Sequence, residues 1–73
     1  MNKYDIRFFK KKTSGYEYAT VSNFDSLERA LEKAGFHLQN EKERKEVRDW
    51  FSRASRGSTM YCVNGGITIL RAE

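Results

Sequence analysis

The spacing of apolar residues changes twice along the chain, from every second residue to helical spacing and back again. Near the N-terminus, Tyr4, Ile6 and Phe8 alternate with other residues, and the segment 16–21 (YEYATV) is rich in aromatic and β-branched residues. Both features are typical of strands with one buried face. Because residues 13–15 (TSG) between them favour a turn, the first third of the chain is predicted to form a β-hairpin.

Helical spacing begins after residue 23. The apolar stripe that predicts the first helix consists of Phe24, Leu27, Ala30, Leu31 and Ala34. Gly35 follows as a stop signal, and either Asn23 or Asp25 can serve as the N-cap. We therefore expect a helix that begins near residue 24 and ends at Gly35.

A second helix is predicted after the short connection 35–40. Asn40 and Glu43 have the spacing of a capping box, and the helix is expected to end near Gly57. Its apolar face consists of Val47, Trp50, Phe51 and Ala54. Its other face interleaves opposite charges at a spacing of four, with Glu41 before Lys45 and Asp49 before Arg53. Such a pattern indicates a solvated helix surface, not a uniformly basic recognition helix.

Strand-like alternation returns after Ser58. Segments 59–63 (TMYCV) and 67–70 (ITIL) flank an Asn-Gly-Gly sequence at residues 64–66, which predicts a hairpin with a type I′ turn. The whole order is β-β-α-α-β-β. Two apolar helix stripes need a common surface, so we expect an α+β two-layer sandwich with a four-stranded, mostly antiparallel sheet and both helices on one face. The strand order stays open at this point.

Size and composition predict one small domain over residues 1–73. No apolar run approaches the roughly 18 residues of a membrane span, so we expect no membrane association. The N-terminal segment also lacks a signal-peptide core. The single cysteine, Cys62, forms no internal disulfide, which favours a reducing compartment and cytoplasmic localisation.

Catalytic and metal-binding chemistry is poorly supported by the residue types present. His37 and Cys62 are the only histidine and cysteine, and nothing in the sequence brings them together as a nucleophile and base. A structural zinc site needs four such ligands. We therefore expect a protein that is not an enzyme and that uses no cofactor and no metal.

Several aromatic and basic residues of the sheet are not needed to form the predicted core. The residues expected to face the helices are Ile6, Phe8, Ala19, Val21, Met60, Cys62, Ile67 and Ile69. The predicted binding surface comprises the remaining sheet residues and two basic clusters: Arg7, Phe9, Lys10, Lys11, Lys12, Tyr16, Tyr18, Arg53, Arg56 and Tyr61. An ordinary explanation stays open, because tyrosines are good strand formers and lysines at a hairpin tip discourage aggregation.

Two functions are compatible with this surface and with the formal net charge of +4. The first is a non-catalytic protein-binding module, a small regulator or inhibitor that docks on a larger partner such as a nucleic-acid-processing protein. Chains of this length are common among inhibitors encoded by mobile elements. The alternative is direct nucleic-acid binding, with lysines and arginines on phosphates and tyrosines stacked on bases. The mixed charges of the second helix favour the protein partner. A homodimer that hides the same surface is a third arrangement to test.

Overall fold

The computed structural model describes residues 3–72 as four strands and two helices. The elements are β1 (Tyr4–Lys12), β2 (Gly15–Phe24), α1 (Leu27–Ala34), α2 (Glu41–Arg53), β3 (Thr59–Cys62) and β4 (Gly65–Ala72). The predicted α+β class and element order are confirmed. All strand pairs are antiparallel, and the sheet order is β2-β1-β4-β3.

Each hairpin supplies one central and one edge strand. The N-terminal strand β1 pairs with the C-terminal strand β4, so the two hairpins join at the middle of the sheet. The helices connect one edge strand, β2, to the other, β3. Within the described residues, neither helix has the length and apolar character needed to cross a membrane.

The hydrophobic core lies between the helices and one face of the sheet. The largest fully buried side chains are Phe8, Ile6, Ile67, Ile69 and Val47. The ring of Phe8 packs on Phe36 of the interhelical connection, with centroids 5.5 Å apart, and Tyr4 packs on Phe51 at 4.8 Å. The predicted alternation in β1 and β4 is therefore confirmed, and the aromatic residues of the helical layer close both ends of the core.

The first helix begins later than predicted. Phe24 stays in β2 opposite Tyr4, so neither Asn23 nor Asp25 caps the helix. The N-cap is Ser26, whose hydroxyl accepts from the backbone N–H of Arg29 at 3.4 Å. Phe24 therefore belongs to the end of β2. Its pairing with Tyr4 outweighs its fit to the apolar stripe of α1.

The second helix has the predicted start but an earlier end. Asn40 is its N-cap, and its side-chain oxygen accepts from the Glu43 N–H at 2.9 Å. The helix ends at Arg53, and Ala54 adopts an extended conformation. The chain needs residues 54–58 to turn back toward the sheet, and Gly57, with a φ of 90°, lies in that turn.

The charged side chains of the helices do not form the predicted pairs. Among the described residues, Glu41 pairs with Arg44, one residue earlier than the expected Lys45, at 3.3 Å. Arg48 instead reaches Glu28 of α1 at 3.7 Å. Exposed charges thus pair across the two helices as well as along one helix.

The second hairpin turns one residue earlier than the Asn-Gly signal predicts. Cys62 is opposite Gly65, so Val63 and Asn64 form the turn. The φ angle of Asn64 is not positive. The residue with a positive φ in this hairpin is Gly65, at 140°. A Cβ at Gly65 would come within 1.8 Å of the carbonyl oxygen of Phe9, so this backbone approach requires glycine. The type I′ prediction is therefore wrong.

A buried carboxylate joins the helical layer to this hairpin. Glu43 is only 9% exposed. One of its oxygens accepts from the backbone N–H of Gln39 at 2.7 Å, and the other accepts from the N–H of Val63 at 2.9 Å. The side chain of Asn64 adds a bond to the His37 carbonyl at 2.9 Å. The tip of the β3-β4 hairpin is thereby held against the interhelical connection.

We expect Glu43→Ala to lower the free energy of unfolding by about 2–4 kcal/mol, because two backbone N–H groups lose a charged acceptor. Urea unfolding of both proteins measures the difference. The matched control is Glu46→Ala, an exposed position of the same helix, which we expect to change the value by no more than about 0.5 kcal/mol. Equal effects of the two substitutions would contradict the role given to Glu43.

Candidate binding surface

One face of the sheet has no helix over it, and we call it the open face. Strand alternation puts Arg7, Phe9 and Lys11 of β1 on this face, since Ile6 and Phe8 point into the core. Three tyrosines of the edge strands share it and are well exposed: Tyr16 at 56%, Tyr18 at 65% and Tyr61 at 77%. The face therefore presents aromatic rings to solvent.

Strand register sets four residues in a row across the open face. Phe9 lies opposite Tyr18 of β2 and Gly66 of β4, and Gly66 lies opposite Tyr61 of β3. The Phe9 ring lies over Gly66, where an added Cβ would come within 2.1 Å of the ring. The missing side chain at Gly66 thus allows Phe9 to reach toward Tyr61.

The four aromatic side chains form one cluster, which we call the aromatic patch: Phe9, Tyr16, Tyr18 and Tyr61. Phe9 is at its centre, with ring centroids 5.8 Å from Tyr16, 6.4 Å from Tyr18 and 6.0 Å from Tyr61. Two of these contacts are edge-to-face, which aromatic pairs favour. Because the three tyrosines hold the central ring, the patch offers a preformed apolar surface with hydroxyl groups around it.

Two cations lie on either side of the central ring. Arg7 and Lys11 are four residues apart on β1, about 13 Å at the usual rise of a strand. Within residues 3–72, neither side chain has a carboxylate partner. The aromatic patch is thus flanked by two unpaired positive charges.

The lysine run predicted as one basic cluster is divided between the two faces. Lys10 points to the helical side, where its ammonium donates to the Ala34 carbonyl at 3.0 Å and lies 3.2 Å from Glu17. Lys12 lies 3.9 Å from the same carboxylate. The hydrogen bond from Lys10, together with the charge of Lys12, lowers the pKa of Glu17 below its ordinary value. Of the three lysines, only Lys11 shares the open face with the tyrosines.

The two predicted arginines at the end of α2 and just beyond it belong to a different region. Arg53 and Arg56 are exposed, and the Arg53 side chain donates to the Asp49 carbonyl at 3.2 Å. The neighbouring N–H of Gly57 donates to the Ile69 carbonyl, and Ile69 pairs with Ile6 near the start of β1. The arginines therefore lie toward the end of the sheet opposite Lys11 and the β1-β2 turn.

A polar cluster at the β1 start was not anticipated from the sequence. The Asp5 carboxylate accepts from the Arg71 side chain at 2.9 Å and from the Asn23 N–H at 3.0 Å, and Arg71 also donates to the Asn23 side chain at 2.7 Å. These bonds lower the Asp5 pKa, and the Arg71 hydrogen bond is the largest cause. Irregular register on both sides of β1 brings these residues together, and Asn23 adopts a φ of 60°. No short-range spacing signals such a cluster.

Cys62 is one of the two residues considered for catalysis. Burial, with a contribution from the Glu43 charge, raises the pKa of the half-buried Cys62 thiol to about 11. The thiol is therefore protonated at neutral pH and weakly nucleophilic. Among the described residues, no group of three or more His, Cys, Asp or Glu side chains could hold a metal ion.

We expect Gly66→Ala to destabilise the fold by about 1–3 kcal/mol, because the new methyl group displaces the Phe9 ring. The same substitution in a Phe9→Ala background is expected to cost clearly less, since no ring remains to be displaced. A double-mutant cycle from urea unfolding measures this coupling. If Gly66→Ala lowers the free energy of unfolding equally in both backgrounds, the position of the Phe9 ring does not depend on the glycine.

The lowered pKa of Asp5 predicts a pH-dependent contribution to stability. Its stabilising effect is present above 3.8, the ordinary value of the carboxyl group, and is lost as the pH falls through the lower folded value. We expect Asp5→Asn to unfold at a lower temperature than the parent protein at pH 7, with the gap closing as the pH falls below 3.8 and through the lower folded pKa of Asp5. Glu17 is present in both proteins, so its own titration cancels. A gap that persists at low pH would show that the charge of Asp5 is not responsible.

Comparisons with known proteins identify no relative for this arrangement. No protein-family model matches the chain, and no curated protein or solved structure matches it either.

Proposed function

We propose that this chain is a non-catalytic protein-binding module, a small regulator or inhibitor that docks on a larger partner such as a nucleic-acid-processing protein. The binding surface is the aromatic patch with Arg7 and Lys11. The observation that carries the proposal is the contiguous contact of the partly buried Phe9 ring with three exposed tyrosine rings on a sheet face without a helical cover.

The composition of this surface supports a protein partner. Tyrosine, phenylalanine and arginine are enriched in protein interfaces, and binding energy concentrates on a few such anchors. Each edge tyrosine is supported by Phe9, and the strands beneath are fixed by the hydrogen-bonded sheet. A rigid surface loses little conformational entropy on binding, which favours affinity.

The proposed role needs no chemistry from the chain. The protonated Cys62 thiol is a poor nucleophile, which favours a binding role over a covalent one. A reducing, cytoplasmic compartment is proposed as the site of action, since the half-buried free thiol is then in its expected state.

Nucleic-acid binding is the second candidate because the Phe9 ring lies over the sheet at Gly66, as a base-stacking ring would. The cations are less favourable for this function. Lys10 is engaged with Glu17 and the end of α1, and Arg56 lies toward the other end of the sheet. The basic residues thus provide no continuous phosphate path along the aromatic patch, and we rank the protein partner first.

We expect the double variant Tyr18→Ala and Tyr61→Ala to weaken partner binding by about tenfold or more per anchor without unfolding the protein. The tagged chain captures partners from lysate of the source organism or its host, with half of the lysate treated with nuclease. Bound protein and nucleic acid are both quantified. The matched control is Lys42→Ala with Glu46→Ala, two exposed positions of α2.

A discrete protein that survives nuclease, is lost with the tyrosine variant and is kept with the α2 variant would support the proposal. Capture that is indifferent to the tyrosines would assign binding to another surface. Recovery of nucleic acid that nuclease abolishes would favour the second candidate.

A further inference from the structure

The charges on the open face that have no partner of opposite sign among residues 3–72 are positive. Arg7 and Lys11 have no acidic partner among residues 3–72, and Glu17 points to the helical side with Lys10. Asp5 is the one carboxylate that the described strands put on the open face, and its oxygens are occupied by Arg71 and Asn23. The face therefore has uncompensated positive charge on both sides of an apolar centre.

We infer that the open face binds an extended acidic segment of a partner protein, with one carboxylate on Arg7, one on Lys11 and an apolar side chain on Phe9 between them. This inference rests on the proposed function and specifies the chemistry of its ligand. The sequence pattern that fits is acid, any residue, apolar residue, any residue, acid.

The spacing of the three side chains along β1 supports this pattern. Arg7, Phe9 and Lys11 project from the same side of one strand at intervals of two residues. An extended peptide places its residues i, i+2 and i+4 on one side at nearly the same intervals, about 13 Å from first to last. A peptide laid along β1 therefore matches all three side chains at once, and the tyrosines provide walls beside its apolar residue.

Charge also argues against a second copy of the chain as the occupant. A twofold contact between two open faces would bring Arg7 and Lys11 against an identical surface, on which residues 3–72 offer no free carboxylate. The unpaired cations would repel one another in a partly desolvated interface. An acidic partner removes this repulsion.

The number of cations argues against a nucleic-acid strand. The electrostatic affinity of a protein for nucleic acid rises with the number of phosphates that its lysines and arginines neutralise. The aromatic patch has two unpaired cations beside it, Arg7 and Lys11. Two cations at a defined separation suit two carboxylates better than a continuous row of phosphates.

The test uses fluorescein-labelled peptides and the chain of residues 1–73, with binding followed by fluorescence anisotropy at low salt. The probe contains Glu-Thr-Phe-Thr-Glu between glycines, since threonine favours an extended backbone. One comparison peptide replaces both acids with Gln, and another places the acids only two residues apart. We expect the probe to bind about two- to thirtyfold more tightly than the Gln peptide, as two exposed ion pairs allow. The close-spaced peptide is expected to fall between them.

Variants of the chain test the same ion pairs by replacing its cations instead of the acids of the peptide. Arg7→Gln with Lys11→Gln is expected to remove the preference for the acidic probe. The control, Lys42→Gln with Lys45→Gln on exposed positions of α2, lowers the net charge equally and is expected to retain the preference. Thermal unfolding verifies that both variants are folded.

Equal affinity for the acidic and Gln peptides, or no measurable binding of the probe at millimolar concentration, would overturn the inference. Tighter binding to an oligothymidine strand, with a salt dependence that weakens in the Arg7 and Lys11 variant, would overturn it in favour of nucleic acid. A dimer in light scattering that Tyr18→Ala with Tyr61→Ala dissociates would assign the face to self-association.

The proposed function can survive the failure of this inference. If partner capture depends on Tyr18 and Tyr61 but not on Arg7 and Lys11, the binding module stands and the acidic ligand is wrong. If capture depends on neither pair of residues, both proposals fail together.

Discussion

Two helices of 8 and 13 residues can cover only one face of a four-stranded sheet, and the main features of this chain follow from that constraint. The covered face takes the apolar side chains Ile6 and Phe8 of β1 and Ile67 and Ile69 of β4, because their burial removes apolar surface from water. Every second residue of the same strands must then face outward. The aromatic patch therefore occupies the positions that alternate with the core, and β1 contributes to both layers.

Close backbone approach gives the open face its shape. Gly65 permits the β3-β4 hairpin to come against the Phe9 carbonyl, and Gly66 leaves room above the sheet for the Phe9 ring. Glu43 holds the same hairpin from the other side through the Val63 N–H. The position of Tyr61 on β3 thus depends on contacts made in both layers, which links the stability of the core to the geometry of the proposed binding surface.

The local sequence pattern predicted the structure correctly at positions where a residue could belong to one element alone. The alternation of Ile6 and Phe8 with Arg7 and Phe9 predicted the two sides of β1, and Asn40 predicted the start of α2. It failed where two elements compete for a residue. Phe24 fits the stripe of α1, yet it stays in β2 because it pairs with Tyr4 across the sheet. Such competition depends on long-range pairing, which a short window of sequence does not include.

Sequence alone determined the element order, the α+β class and the residue types available for binding, since these depend on periodicity and composition. Tertiary structure decided which of them meet. The sheet order brought β1 beside β4, so that Phe9 could join tyrosines from both edge strands, and it paired Asp5 with Arg71 across 66 positions of sequence. It also placed the three lysines on different faces, because successive side chains of a strand point to opposite faces of the sheet. Lys10 lies on the helical face, where it donates to the carbonyl of Ala34.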